Sequence, residues 1–276
     1  MPPRPNNKDS TMNTVAAIQM ISSPSVGENL ATARRLIAQA ADTGAKLVLL
    51  PEYWAIMGLS ENDKVAVAEP LGKGQIQDFM SEMARQHSIW LLGGTLPLAS
   101  DDPARVVNTT LVYDDQGRHV GRYDKIHLFG FTKGTESYDE ARTIVPGSSV
   151  GTVDTPVGKV GMSVCYDLRF PELFRAMGPV SLIVVPAAFT YTTGQAHWEI
   201  LLRARAIENQ CYVLAAAQGG THQNGRRTWG HSMLVDPWGA VKTVLAEGEG
   251  VVHGEVDAVF MGSVRESLPA LKHRTM

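Results

Sequence analysis

The chain has 276 residues, 44% hydrophobic and 19% charged, which is ordinary for a soluble globular protein and enough to bury a sizeable core. A formal net charge of −3 without any basic cluster speaks against a nucleic-acid partner, and no run nears the roughly 18 consecutive apolar residues of a membrane span. Two cysteines, Cys165 and Cys211, are too few for a disulfide framework and suit a reducing, cytoplasmic compartment.

The opening MPPRPNNKDSTMNT lacks the apolar stretch of a secretory signal, and its Pro-Pro and Asn-Asn pairs break the amphipathic helix of a transit peptide. Residues 1–13 read as a flexible lead-in and 14–276 as a single domain. VAAIQM (15–20) is a short apolar strand. Residues 28–45 place Leu30, Ala33, Ile37 and Ala40 at helical spacing and stop at Gly44. KLVLLPE (46–52) has strand length and is apolar on both faces. Residues 75–88 are helical, and IWLLGGTLPL (89–98) returns as one strand. This alternation predicts a sheet covered by helices.

The pattern then changes. Residues 108–128 form a hairpin around Asp115-Gln116-Gly117, and residues 151–165 form a second one turning at Pro156-Val157-Gly158. SLIVVPAAF (181–189) is a buried strand, 195–210 a helix, and 211–218, 231–239 and 250–257 supply further strands. The hairpins argue against a purely parallel sheet, and neither Gly-x-Gly-x-x-Gly nor a phosphate-binding Gly-Lys-Ser/Thr loop follows a strand. The tail 261–276 has no pattern strong enough to place.

Three polar residues fall at strand ends. Glu52 closes KLVLLP, where open α/β sheets build ligand crevices, although a turn or helix-cap role is an equal alternative. Lys125 follows GRYD among Tyr123, Ile126, Leu128 and Phe129, which predicts burial that costs several kcal/mol unless the charge is paired. Cys165 ends VGMSVC, and Pro171 suits the first turn of a following helix. A helix terminus and a lysine would lower its pKa from about 8.5. Cys211, inside an apolar run, reads as core. A thiol, a base to take its proton and a cation beside a developing oxyanion make a chemically complete set for acyl transfer. Spacing alone leaves their adjacency open.

PEYW (51–54), YDKIHLF (123–129) and CYDLRFPE (165–172), in that order, resemble the nitrilase, or carbon–nitrogen hydrolase, superfamily over residues 15–257. The resemblance implies a four-layer αββα sandwich of two mixed sheets, associated as a homodimer or higher homo-oligomer. It implies Glu52 as general base, Lys125 as oxyanion stabiliser and Cys165 as nucleophile, with the N–H of Tyr166 as a second oxyanion donor. Glu140 fits the family's second glutamate better than Glu136, with the role of orienting Lys125 and the substrate amide. Tyr166-Asp167 after the cysteine resembles the amidase branches, where nitrilases carry Trp-Glu. Residues 192–218 and 230–239 resemble the group of deaminated glutathione amidases and ω-amidases, and AAAQ-G-T-H (215–222) nearer the former.

The activity implied is hydrolysis of the C–N bond in a small carboxylate-bearing amide through a cysteine thioester, releasing ammonia, with deaminated glutathione as substrate and no cofactor. Alternatives are an ω-amidase acting on α-ketoglutaramate and, more remotely, a nitrilase or N-carbamoyl amide hydrolase. Outside that class stand a metal-dependent amidohydrolase, whose ligand motifs are missing, and a scaffold with a dead site, which the complete triad argues against. Arg169 is a substrate-carboxylate candidate, though holding Asp or Glu side chains under the pocket floor is favoured. Phe189 and Thr193 are expected to border the pocket. Arg203 and Arg205 read as interface or ion-pair residues, Trp54 as a wall of the site, and His127 as a packing neighbour of the lysine strand.

Overall fold

The computed structural model describes residues 12–134 and 136–275. Strand β1 (Met12–Gln19) alternates: Val15 and Ala17 join one core, Ala16 and Ile18 the other. A period of two puts successive side chains on opposite faces, and both faces are covered. Helix α1 (Val26–Asp42) starts two residues before its expected position because Ser25 caps it, accepting the Glu28 N–H at 3.4 Å. Its Ala33, Leu36, Ile37 and Ala40 pack against the sheet. Strand β2 (Leu47–Leu49) runs parallel to β1 and splits in the same way, Leu47 and Leu49 on one face and Val48 on the other.

A short helix α2 (Asp63–Ala66) precedes α3 (Gln75–His87), which buries Ile76, Phe79, Met80 and Met83. The single strand expected over residues 89–98 is broken into β3 (Trp90–Leu92) and β4 (Leu96–Ala99), which pair one after the other with β5 (Val106–Tyr113). The break falls at Gly93-Gly94, with Gly94 at φ +46°. β6 (His119–Asp124) closes the first predicted hairpin. A ribbon of β7 (Gly130–Lys133) and β8 (Glu136–Asp139) and a short β9 (Ile144–Val145) parallel to β5 follow. The sequence reading assigned none of these three.

The second sheet is β10 (Gly151–Thr155), β11 (Gly158–Met162), β12 (Leu182–Ala187), β13 (Tyr212–Ala217), β14 (Ser232–Val235) and β15 (Val241–Leu245), in that spatial order. Its centre, β11–β12–β13, is parallel and its flanks antiparallel. Helices α4 (Pro171–Ala176) and α5 (Tyr191–Asn209) make the crossovers. β16 (Gly250–Asp257) returns to pair antiparallel with β1, and α6 (Ala258–Ser267) places part of the tail, capped by Asp257.

Sheet and helix cores give the layering. Ala16, Val48 and Leu91 pack under α1 and α3, while Val15, Leu47 and Leu92 share a core with Val184 and Leu214 of the second sheet. Trp198, Leu202 and Ala206 of α5 cover that sheet from outside. The architecture is the expected four-layer αββα sandwich of two mixed sheets. Among the described residues no helix is long and apolar enough to cross a membrane.

Candidate active site

The two sheets meet where their parallel strands end. Met20 after β1 bridges to Gln218 after β13, and Gln218 Nε2 donates to the Glu52 carbonyl at 3.0 Å. Glu52 follows β2, Cys165 follows β11 and Ala188 follows β12, so carboxyl ends from both sheets converge on one crevice. The Gly93-Gly94 break shapes the turn that carries Glu52. A Cβ on Gly94 would lie 1.9 Å from the Pro51 carbonyl oxygen, so only glycine allows this approach. Thr95 then accepts the Tyr53 N–H through its hydroxyl at 3.0 Å, and Trp54 Nε1 donates to the Gly93 carbonyl at 2.7 Å.

Lys125 sits just beyond β6, fully buried, with its ammonium between two carboxylates. It donates to Glu52 Oε1 at 2.9 Å and to Glu140 Oε1 and Oε2 at 3.0 and 2.7 Å. Burial alone would favour the neutral amine, but Glu140 and Glu52 outweigh it and hold Lys125 protonated well above the ordinary lysine range. Burial likewise opposes ionisation of Glu140, yet Lys125 and the Phe129 and Tyr53 hydrogen bonds keep its carboxyl below its ordinary value. The Glu52 carboxylate accepts from Lys125, from Asn108 Nδ2 at 3.0 Å and from the Ala188 N–H at 2.9 Å, and keeps acceptor capacity on Oε2.

Cys165 opens a five-residue 3-10 turn, Cys165–Arg169, at φ +49°. Tyr53, next to Glu52, is also left-handed at φ +57°. A non-glycine residue in this region costs of order 1–3 kcal/mol and persists only when its surroundings over-determine it. Here Asp167 does so. One of its oxygens accepts the Val164 N–H at 2.8 Å and the Tyr123 hydroxyl at 2.7 Å; the other accepts from His127 N at 3.0 Å and contacts His127 Nδ1 at 2.7 Å. Tyr123 and His127 flank Lys125, so one carboxylate staples the cysteine turn to the lysine segment. The acidic residue after Cys165-Tyr166 therefore has a structural role the sequence reading did not give it.

The expected acidic shift of Cys165 is not what the site produces. Burial, with Glu52 next in weight, pushes the thiol well above its ordinary value, and Lys125 only partly opposes them. The resting group is a protonated thiol with the Glu52 carboxylate in hydrogen-bonding reach. Cys211, just before β13, is pushed up to about 12 by burial, and among the described residues no carboxylate is hydrogen-bonded to it, although the Glu208 charge adds a smaller push.

Beside Cys165 is a small cavity of about 10 Å³, room for one water, bordered by Tyr166, Arg169, Phe189 and Thr193. All four expected pocket residues line it. Arg169 holds no Asp or Glu among the described residues, contrary to the favoured expectation; its Nη1 contacts His197 Nδ1 at 3.2 Å, and its guanidinium lies 5.7 Å from the Tyr166 ring and 5.2 Å from the Phe189 ring. Buried Arg205 supports the turn instead, donating through Nε and Nη2 to the Leu168 carbonyl at 3.1 and 2.9 Å and pairing with Glu208. Arg203 pairs with Glu199 and caps the Gly239 carbonyl. Trp54 is not a wall of the site. The left-handed turn at Tyr53 sends its indole into the helix-side core against Phe79 and brings the Tyr53 hydroxyl to Glu140. His127 stacks on Phe170 at 3.7 Å and is held by Asp167, a packing role as expected.

Arg226, on the loop after β13, is a further site residue that the sequence did not announce. Its loop is pinned by His222, whose ring contacts the Ser22 carbonyl through Nδ1 at 3.0 Å and Thr228 Oγ1 through Nε2 at 2.9 Å. Burial pulls the His222 pKa down to about 4, although the Ser22 carbonyl favours the charged form. An unfolded chain binds that proton from about pH 6.5. Stability is therefore complete above pH 6.5 and falls as the pH drops towards 4, by up to about 3 kcal/mol. Urea denaturation at pH 7.5 and pH 4.5 should show this loss in the wild type and a smaller one in His222→Gln.

The chain belongs to the carbon–nitrogen hydrolase family, whose model matches residues 14–266. It is an enzyme of the nitrilase superfamily that hydrolyses carbon–nitrogen bonds of amides. Deaminated glutathione amidase of Yersinia enterocolitica is 42% identical over 264 residues, which cover 94% of this chain and 92% of that protein. The Caenorhabditis elegans NitFhit protein structure superposes with a TM-score of 0.89 at 39% identity, over 96% of this chain and 66% of that one. Saccharomyces cerevisiae Nit3 gives 0.85 at 32% identity, over 96% and 97% of the two chains.

Proposed function

We propose that the protein is a thiol amidase acting on deaminated glutathione, with Cys165 as nucleophile, Glu52 as general base and acid, and Lys125 as the cation facing the oxyanion. One observation carries this reading: a buried ammonium fixed between Glu52 and Glu140, with a protonated thiol in reach of Glu52. Two carboxylates, the Lys125 ammonium and the nearby Arg226 guanidinium balance in charge. Ionising Cys165 unaided would add an uncompensated negative charge in a dry site, whereas transfer of its proton to Glu52 leaves the total unchanged.

In that sequence the sulfur attacks the amide carbon as Glu52 takes the thiol proton. The oxyanion forms against Lys125 and the Tyr166 N–H, which lies in the first turn of a 3-10 segment where such groups have no intrahelical acceptor. Glu52 returns the proton to the departing nitrogen as the C–N bond breaks, leaving a thioester. Water, deprotonated by Glu52, adds to the thioester; carboxylic acid leaves and the thiol is restored. Glu140 holds Lys125 in place throughout.

The substrate assignment draws on the relative's name and on the wording of residues 192–222. Deaminated glutathione joins an α-ketoglutaryl group to the nitrogen of cysteinylglycine, so its leaving group is a dipeptide; the ammonia expected from the sequence would leave only from a primary amide. The two free cysteines are compatible with a reducing compartment such as the cytoplasm. Exposed Ile200 and Ile207, seven residues apart on α5, offer an apolar stripe for a homodimer. The test is kcat/KM across deaminated glutathione, α-ketoglutaramate, a nitrile and an N-carbamoyl compound. Deaminated glutathione should lead. A lead for α-ketoglutaramate reassigns the protein to ω-amidases, and no hydrolysis of either amide overturns the reading.

A further inference from the structure

We propose that the open cavity outside the cysteine pocket is a leaving-group subsite in which Arg226 recognises a carboxylate on a dipeptide-sized amine. This rests on amide hydrolysis at Cys165. Two unequal spaces share Arg226: the inner one of about 10 Å³ at Cys165, and an open one of about 320 Å³ bordered by Tyr53, Met57, Lys64, Tyr138 and Asn224. A primary amide has nothing on its nitrogen to occupy the larger space.

The side on which the cavity lies identifies the substituent. The leaving nitrogen must sit towards Glu52, which protonates it. Tyr53, Ile56 and Met57, which follow Glu52 in the chain, border the outer cavity, whereas Tyr166, Arg169, Phe189 and Thr193 border only the inner one. The acyl chain therefore takes the Arg169 side, and the amine the side of Tyr53 and Arg226.

Arg226 is fixed and short of partners. Its Nη2 donates to the Ala188 carbonyl at 2.7 Å, and its guanidinium lies 5.2 Å from the Tyr138 ring. The backbone is set by the Arg226 N–H to Asn224 Oδ1 at 2.9 Å and by the His222 N–H to the Arg226 carbonyl at 2.9 Å. Its Nε is buried without a hydrogen-bond partner, and among the described residues no carboxylate forms a salt bridge with it, although the Glu52 charge is near enough to favour its charged form. The other cation of this cavity, Lys64, is already occupied by Glu61 and by Thr143 Oγ1 at 3.2 Å. A partly desolvated guanidinium facing open room is suited to a planar anion.

The experiment compares kcat/KM for deaminated glutathione with that for its C-terminal carboxamide, which removes the charge of the leaving group only. The wild type should lose roughly tenfold or more on amidation, between an exposed pair and a buried one. In Arg226→Gln the two substrates should converge. Equal rates in the wild type, or a tenfold preference that survives in a folded Arg226→Gln, overturn the proposal. Should Arg226→Gln fail to fold, Arg226→Lys, which keeps the charge and loses the fork, must narrow the ratio. Calorimetric binding of cysteinylglycine and its carboxamide to the Cys165→Ala protein separates the two readings. Tighter binding of the free acid there, together with no amide hydrolysis by the wild type, would uphold the carboxylate site and sink the amidase assignment, whereas equal binding removes the subsite alone.

Discussion

Cys165→Ala abolishes turnover, by roughly 10⁴-fold or more in kcat, while the protein stays folded. The sulfur is the only atom in the sequence of steps that becomes covalently bound to the acyl group, so no neighbour substitutes for it. Alanine keeps the left-handed backbone strain and removes one buried sulfur, an expected cost of about 1 kcal/mol. Cys211→Ala is the contrasting variant. Both thiols are buried and both are pushed upward, so resting thiolate content does not separate them. What separates them is the carboxylate within reach of Cys165. Cys211→Ala should keep kcat and lose about 1–2 kcal/mol of stability through packing. Intact-mass analysis after an electrophilic amide analogue gives the second readout, with the adduct expected on Cys165. An adduct on Cys211 would reverse the assignment.

The strands carrying these residues were legible because their composition answers directly to their surroundings. LVLL (47–50) is apolar at every position since β2 has helices on one face and a sheet on the other. The helix at 75–88 and the hairpin at Asp115-Gln116-Gly117 were equally plain, since apolar spacing and turn residues are local signals. IWLLGGTLPL was read as one strand because its apolar pattern continues across Gly93-Gly94. The break is dictated by the Pro51 carbonyl, a contact with a residue some forty positions away.

The residues at the crevice divide in the same way. Glu52, Lys125 and Cys165 stood out through motif order, and Glu140 through its distance to a following Pro-Gly. Asn108, the Ala188 N–H, Asp167 and Arg226 did not, because each matters through long-range hydrogen bonds or a cavity that no spacing encodes. Trp54 lies two past Glu52 and in a continuing strand would share its face, but Tyr53 turns left-handed and reverses it. The direction of the Cys165 pKa shift is not legible in sequence, because a lysine and a helix terminus are visible there whereas the weight of burial and of the surrounding carboxylates is not.

Glu52→Gln is expected to lower kcat by at least about 10³-fold while Cys165 remains present and accessible to small electrophiles at high pH. The amide cannot accept the thiol proton, so attack would require a free thiolate in a site where burial disfavours one. The substitution also disturbs the hydrogen bonding. All three groups bonded to the Glu52 carboxylate are donors: the Lys125 ammonium, Asn108 Nδ2 and the Ala188 N–H. A glutamine must point its own NH₂ at one of them, which leaves a buried donor unpaired at a cost of about 1–3 kcal/mol. Lys125 retains Glu140, so the loss should stay below the roughly 3–5 kcal/mol of a fully orphaned buried charge. Substrate binding should change far less than kcat, because Arg169 and the inner pocket are untouched. Single-turnover kinetics give the decisive measurement: the rate of thioester formation must fall with kcat. A Glu52→Gln enzyme that acylates at the wild-type rate and stalls only at deacylation would remove Glu52 from the first proton transfer and leave it as the base for water alone.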